Sequence, residues 1–279
     1  MSDVKSRRIG IVAPSCPIDD AVVTAVNARA LALYGDDAPE LVFHPQCFLS
    51  HGHFAGEDHE RLSALVEMAN DPAIDAIWCA RGGYGSGRIA EDALAQMEST
   101  ARAKSWLGYS DAGNLLGGLY AQGFEHVAHG PMPADIRRKG GDAAVDRALN
   151  WLVEGDSNAV EPNALAAPSA AFNMIILSHL IGTPLQPDLS GHVLMLEEVA
   201  EHLYRVDRAL FHITSNRDIR RVAGIRLGRV SDVIENDRPF GYEIDEIVAH
   251  WCAKSGIAWL GTADIGHDVD NKVVPFGHS

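Results

Sequence analysis

The sequence predicts an α/β protein: an N-terminal doubly wound parallel-sheet domain followed by a smaller C-terminal α/β domain. Three observations lead there. Short β-rich runs alternate with helical patterns through the first half, which places helices on both faces of a parallel sheet. The stretch 154–168 then breaks the pattern: it contains Gly155, Asp156, Asn158, Pro162, Asn163 and Pro168, and no period of 2 or 3.6 persists through it. Beyond it the order of elements changes. The 279 residues suffice for one large domain or two modest ones.

In chain order, the predicted strands of the first domain are 8–14, 40–44, 74–80, 105–109 and 126–129. Helices at 21–33, 59–70, 87–97 and 112–122 connect them, each with apolar residues spaced three and four apart. A further helix at 143–153 leads into the interruption. The expected organisation is therefore 1–155 for the first domain, 156–168 for a linker and 169–279 for the second domain. In the second domain the pattern predicts a helix near 172–181, a strand at 193–197, a helix at 203–215, a strand at 226–233 and a helix at 244–254. Two closing runs, 258–265 and 272–276, read as strands of a different sheet. No internal repeat is present.

Composition narrows the function classes. Hydrophobic residues make up 47% and charged residues 22%, a globular balance. The net charge of −15 repels nucleic-acid phosphates and anionic lipid surfaces, so neither is an expected partner. No apolar run approaches the ~18–20 residues of a membrane helix, and the first residues carry no apolar segment of a secretion signal. Cys16, Cys47, Cys79 and Cys252 lie far apart and form no CxxC pair, which predicts free thiols in a reducing cytoplasm.

Four features could carry chemistry. Ser110 lies where the predicted strand at 105–109 turns into a helix; a serine on such a corner is exposed, and the helix start offers N–H groups to an oxyanion. The G-x-S-x-G pattern is incomplete because Ala112 stands where glycine would be, and Ser110 or Asp111 as a helix N-cap is the alternative. Second, Gly82, Gly83, Gly85 and Gly87 follow an apolar strand, and glycine-rich backbone of this kind forms an anion site or a tight turn. Third, Glu197 and Glu198 end an apolar strand, where a carboxylate is partly desolvated. Fourth, His267 occupies a loop between the closing runs, and a lone loop histidine is either a base or merely solvated. In chain order Ser110, Glu197 and His267 could be nucleophile, orienting acid and base. His129 ends a strand at the same sheet edge as Ser110, where it could orient substrate or merely satisfy a local turn. His51, His53, Asp58 and His59 invite a metal reading, yet no H-E-x-x-H helix or matching set accompanies them, so neither a metal nor a cofactor is expected.

Several segments together add a further level. RIGIVAPS (8–15), HFAGE (53–57), ARGGYG (80–85), GYSD (108–111), HGPM (129–132), GTPLQPDL (182–189), LEEV (196–199), YRVDR (204–208) and GHDVDNKVVPFG (266–277) resemble, in number and order, the LD-carboxypeptidase family of serine peptidases, which includes microcin-immunity peptidases. The resemblance implies a Ser-Glu-His triad of Ser110, Glu197 and His267, an oxyanion hole from the N–H groups of Gly83 and Asp111, and a site between the two domains, commonly in a homodimer. It implies a small-peptide substrate: the murein tetrapeptide, whose terminal D-alanine is removed in the cytoplasm during cell-wall recycling. A free substrate carboxylate needs a cation, and Arg81, beside the glycine loop, is the candidate. Two alternatives are an amidase of peptidyl or aminoacyl nucleotides, which Trp151 or Phe172 would serve as a stacking aromatic, and a catalytically silent muropeptide binder. Residues 171–174, Ala-Phe-Asn-Met, depart from the family's glycine-rich run, which predicts a differently shaped loop near the cleft.

Overall fold

The computed structural model describes residues 7–277 and contains two sheets. The first is built from β1 (Arg8–Val12), β2 (Glu40–Phe43), β3 (Ala76–Cys79), β4 (Ser105–Gly108) and β5 (Val127–His129), all parallel, in the order β5-β4-β3-β1-β2. The order reverses at β1, so the sheet is doubly wound, and ligand sites in such sheets form at the carboxyl ends of the strands. Strand residues alternate between two cores. Ile9, Ile11, Trp78 and Leu107 pack with α1 (Asp20–Tyr34) and α6 (Gly141–Glu154) on one face. Val12, Ile77, Cys79 and Trp106 pack with α2 (Asp58–Asn70), α3 (Ser86–Gln96) and α5 (Gly113–Ala121) on the other. A one-turn helix, α4 (Ser99–Arg102), precedes β4 and has no counterpart in the predicted elements.

The second sheet runs β6-β7-β8-β9, also parallel: β6 (Ser169–Asn173), β7 (Val193–Val199), β8 (Gly224–Ser231) and β9 (Trp259–Thr262). Its helices are α7 (Met174–Leu180), α8 (Leu203–Ser215) and α9 (Ile244–Ser255). The core behind α5 continues without a break into Phe172, Leu177 and Leu180. Glycine keeps this contact close: a Cβ on Gly117 would lie 2.8 Å from Leu180 Cδ1, so a side chain there would force the Leu180 side chain to shift. Among the described residues no helix is long and apolar enough to cross a membrane.

Four expectations change. The helix predicted near 172–181 begins as a strand: residues 169–173 pair with β7, and the helix starts only at Met174, capped by the Asn173 side chain accepting from Ile176 N–H at 3.2 Å. A short apolar run fits a buried strand or a helix equally well, and only pairing with β7 decides it. The end of this strand and the start of α7 replace the expected cleft loop at 171–174. Of the two closing runs, the first extends the second sheet, but the second, β10 (Val274–Pro275), returns to pair antiparallel with β5 of the first sheet. The stretch 154–168 is also more than a tether: Ala159, Val160 and Glu161 are buried, and Glu161 N–H donates to Val273 O at 2.8 Å.

Candidate active site

Ser110 follows the carboxyl end of β4 with φ +59°, a left-handed conformation that costs a non-glycine residue of order 1–3 kcal/mol. The backbone thus turns sharply from strand into the short 3₁₀ turn Ser110–Ala112 that opens α5. The glycine loop makes room for it, since a Cβ on Gly82 would lie 2.9 Å from Ser110 Oγ.

His267 and Glu197 reach the same point from the second sheet. His267 Nε2 lies 2.9 Å from Ser110 Oγ, and its Nδ1 lies 2.5 Å from Glu197 Oε2. A carboxylate only accepts, so Nδ1 carries the proton and Nε2 is left to accept from the Ser110 hydroxyl. Glu197, on β7, is fully buried, and His267 is 9% exposed. Burial alone would depress the His267 pKa, but the charge and hydrogen bond of Glu197 outweigh it and hold the imidazole above its ordinary value.

The His267 loop is pinned from several sides. Arg229 on β8 donates to Asp264 at 2.6 Å and forks onto Asp268, and Arg147 of α6 donates to the carbonyls of Val269 and Asn271, each at 2.9 Å. Asn271 Oδ1 accepts from Gly266 N–H at 3.1 Å and lies 3.0 Å from His129 Nε2, tying the loop to β5. His129 is fully enclosed, and burial pushes its pKa down, so it is neutral. It therefore anchors the loop rather than facing substrate. Beneath the site, Tyr109 donates to Asp135 at 2.8 Å, with its ring 4.8 Å from that of His267. Of these supports only His129 was singled out in the sequence, because most of the others join residues that are remote in it.

Asp111 turns its carboxylate inward, accepting from Ser15 Oγ at 2.5 Å and Ser86 N–H at 2.8 Å. Its own N–H, in the first turn of the helix start, has no acceptor among the described residues, and the same holds for the N–H of Gly83. Gly83 has φ +115°, and a Cβ there would stand 2.3 Å from Cys16 Sγ. Arg81 is exposed and donates to Pro17 O at 3.2 Å. With Ser110, His267, Gly83, Arg137 and Arg138 it lines a pocket of about 260 Å³. Arg137 is paired with Asp19 and Arg138 with Asp135, whereas Arg81 has no carboxylate partner among the described residues.

Residues 9–130 match the LD-carboxypeptidase N-terminal domain and residues 170–279 the C-terminal domain. The chain belongs to the LD-carboxypeptidase family. A Synechocystis protein that bears a carboxypeptidase name is 30% identical over 97% of this chain and 89% of its own length. The murein tetrapeptide carboxypeptidase of Pseudomonas aeruginosa is 25% identical over 97% of this chain and 91% of its own. The family fold is shared with the muramoyltetrapeptide carboxypeptidase of Oxalobacter formigenes (TM-score 0.77, 23% identity, 97% and 92% coverage). MccF bound to glutamyl sulfamoyl guanosine superposes with a TM-score of 0.74 at 18% identity, covering 98% and 96% of the two chains.

Within this family frame, the other sequence candidates fall elsewhere. Glu198 faces away from the site: it accepts from Asn173 Nδ2 at 2.6 Å, Ile175 N–H at 3.0 Å and Val199 N–H at 2.9 Å, and burial raises its pKa to about 7. The histidine-rich loop is not brought together as a ligand set, since Asp58 pairs with Arg88 and Arg61, His59 with Glu57, and His53 Nε2 lies 3.2 Å from Cys16 Sγ. Phe172 is buried and offers no stacking face. Trp151 lines a cavity of about 610 Å³ with Ser105 and His126, at the end of the strands opposite Ser110.

Proposed function

We propose that this chain is a serine LD-carboxypeptidase that hydrolyses the amide to the terminal D-alanine of murein tetrapeptides in cytoplasmic cell-wall recycling. The observation that carries the reading is the hydrogen-bonded chain Ser110–His267–Glu197 beside a cation, Arg81, that lacks a carboxylate partner among the described residues. His267 Nε2 takes the Ser110 hydroxyl proton as Oγ attacks the scissile carbonyl, and the N–H groups of Gly83 and Asp111 hold the oxyanion. Collapse breaks the C–N bond, His267 returns the proton to the leaving amine, and the D-amino acid departs with its carboxylate on Arg81. Water, deprotonated by His267, then cleaves the acyl ester and restores Ser110. The reading includes the homodimer that the family resemblance implies.

Mass-spectrometric detection of D-alanine release from the tetrapeptide tests the reading. Release by the native protein that vanishes in Ser110→Ala supports it; no release from the native protein sinks it. Two further outcomes are specific. Gly83→Ala combines a disallowed φ with a clash against Cys16 and should lower kcat by about 10²–10³-fold, the range for losing one oxyanion donor. Arg81→Ala should raise KM for a free D-alanine terminus while a C-terminal amide, already a poor substrate, changes little; equal effects on both would remove Arg81 from carboxylate binding.

One observation favours a second reading. Tyr84, 56% exposed, stands on the glycine loop in the cleft, where its ring could stack on a nucleobase. Hydrolysis of an aminoacyl sulfamoyl adenosine in place of the tetrapeptide would select it.

A further inference from the structure

The cleft does not end at the Ser110 pocket. Gly83 borders that pocket and also a second compartment of about 460 Å³, lined among others by Tyr84, Asp111, Asn114 and Thr183. The second compartment shares Ile175 and His179 with a third, of about 240 Å³, between α7 and α8. Three compartments therefore follow one another, with Gly83 at the junction of the first two.

In a chain of net charge −15, no acid among the described residues lines the third compartment: its titratable residues are His179, Arg205, Arg208 and His212. Arg205 is neutralised by Glu201 at 2.9 Å. Arg208 is not: its guanidinium lies 5.7 Å from the Tyr204 ring centroid and has no carboxylate within 4 Å among the described residues. Asp207, the adjacent acid on α8, is engaged by Trp251 Nε1 at 2.9 Å. One ring nitrogen of His212 is taken by Ser178 Oγ at 2.9 Å, which leaves the other for a ligand.

If the leaving residue's carboxylate sits on Arg81 and the scissile carbonyl at Gly83, the acyl side of the substrate must run the other way, through the second compartment into the third. We infer that Arg208, with His212, forms a subsite for a free carboxylate on the acyl side of the peptide. The inference rests on the carboxypeptidase reading and adds a selectivity to it: peptides with free acyl-side carboxylates bind in preference to their amidated forms.

Calorimetric titration of Ser110→Ala protein, which cannot turn substrate over, separates the two claims. The probes are the murein tetrapeptide and the same peptide with its acyl-side carboxylates converted to carboxamides. The free acid should bind about tenfold more tightly, the scale of one charge-assisted contact, and adding Arg208→Ala should make the two peptides bind alike, with Arg208→Lys restoring part of the difference. Equal affinity for the two peptides, or a difference that survives Arg208→Ala, overturns the subsite. D-Alanine release by the native protein is scored separately: discrimination without release keeps the acid subsite and removes the peptidase reading.

Discussion

Ser110→Ala is expected to lower kcat on the murein tetrapeptide by about 10⁶-fold, the scale seen when the nucleophile of a hydrogen-bonded triad is deleted. The protein should still fold. The hydroxyl's hydrogen-bond partner is His267, and alanine meets the same backbone cost at φ +59° as serine does. Ser110→Gly provides the contrast: it relieves the left-handed strain and should raise the melting temperature by a few degrees while remaining equally inactive. Combining Ser110→Ala with His267→Ala should cost little more than either change alone, because the two act as one unit. Full activity in purified Ser110→Ala, or losses that multiply in the double variant, would remove Ser110 from the chemistry.

Glu197→Gln carries the second large effect, about 10⁴-fold in kcat, because an amide can present its NH₂ to Nδ1 and force the imidazole into the wrong tautomer. Its pH dependence supplies the diagnostic. In the native protein burial lowers the His267 pKa, but the Glu197 charge and hydrogen bond raise it more, so the net value lies above an ordinary histidine. The base works only when neutral, so activity falls as the pH drops through that raised value. The Glu197→Gln change removes the charge and leaves the burial, so the residual activity should persist to lower pH than in the native enzyme. A kcat/KM profile with an unmoved acid limb would show that His267 is not the base that Glu197 orients.

Much of the fold was legible in local pattern. The five parallel strands of the first sheet and helices α1, α2 and α3 lie within a few residues of their predicted positions, because alternating apolar runs and three-and-four spacing report burial directly. The exceptions have physical causes. Residues 169–173 are apolar enough for either a helix or a strand, and only β7 alongside them makes them a strand. β10 is two residues long, too short to carry a period, and its partner β5 lies more than a hundred residues earlier.

The site divides in the same way. The residue types at strand ends and glycine turns singled out Ser110, Glu197, His267 and the glycine loop as candidates, and the family resemblance pointed to Gly83 and Asp111 within that frame. Sequence alone could not determine that they meet, since Ser110 and His267 are 157 positions apart. Only the tertiary structure decided that, by packing α5 against α7 and returning β10 to the first sheet, which carries the loop of His267 to the end of β4. It also decided how far that loop is fixed, through Arg147, Arg229 and Asn271, and which arginine of the pocket is left without a carboxylate among the described residues. Hydrogen bonds and ion pairs depend on distance in space, and no local spacing encodes a distance between residues that the chain brings together only when it folds.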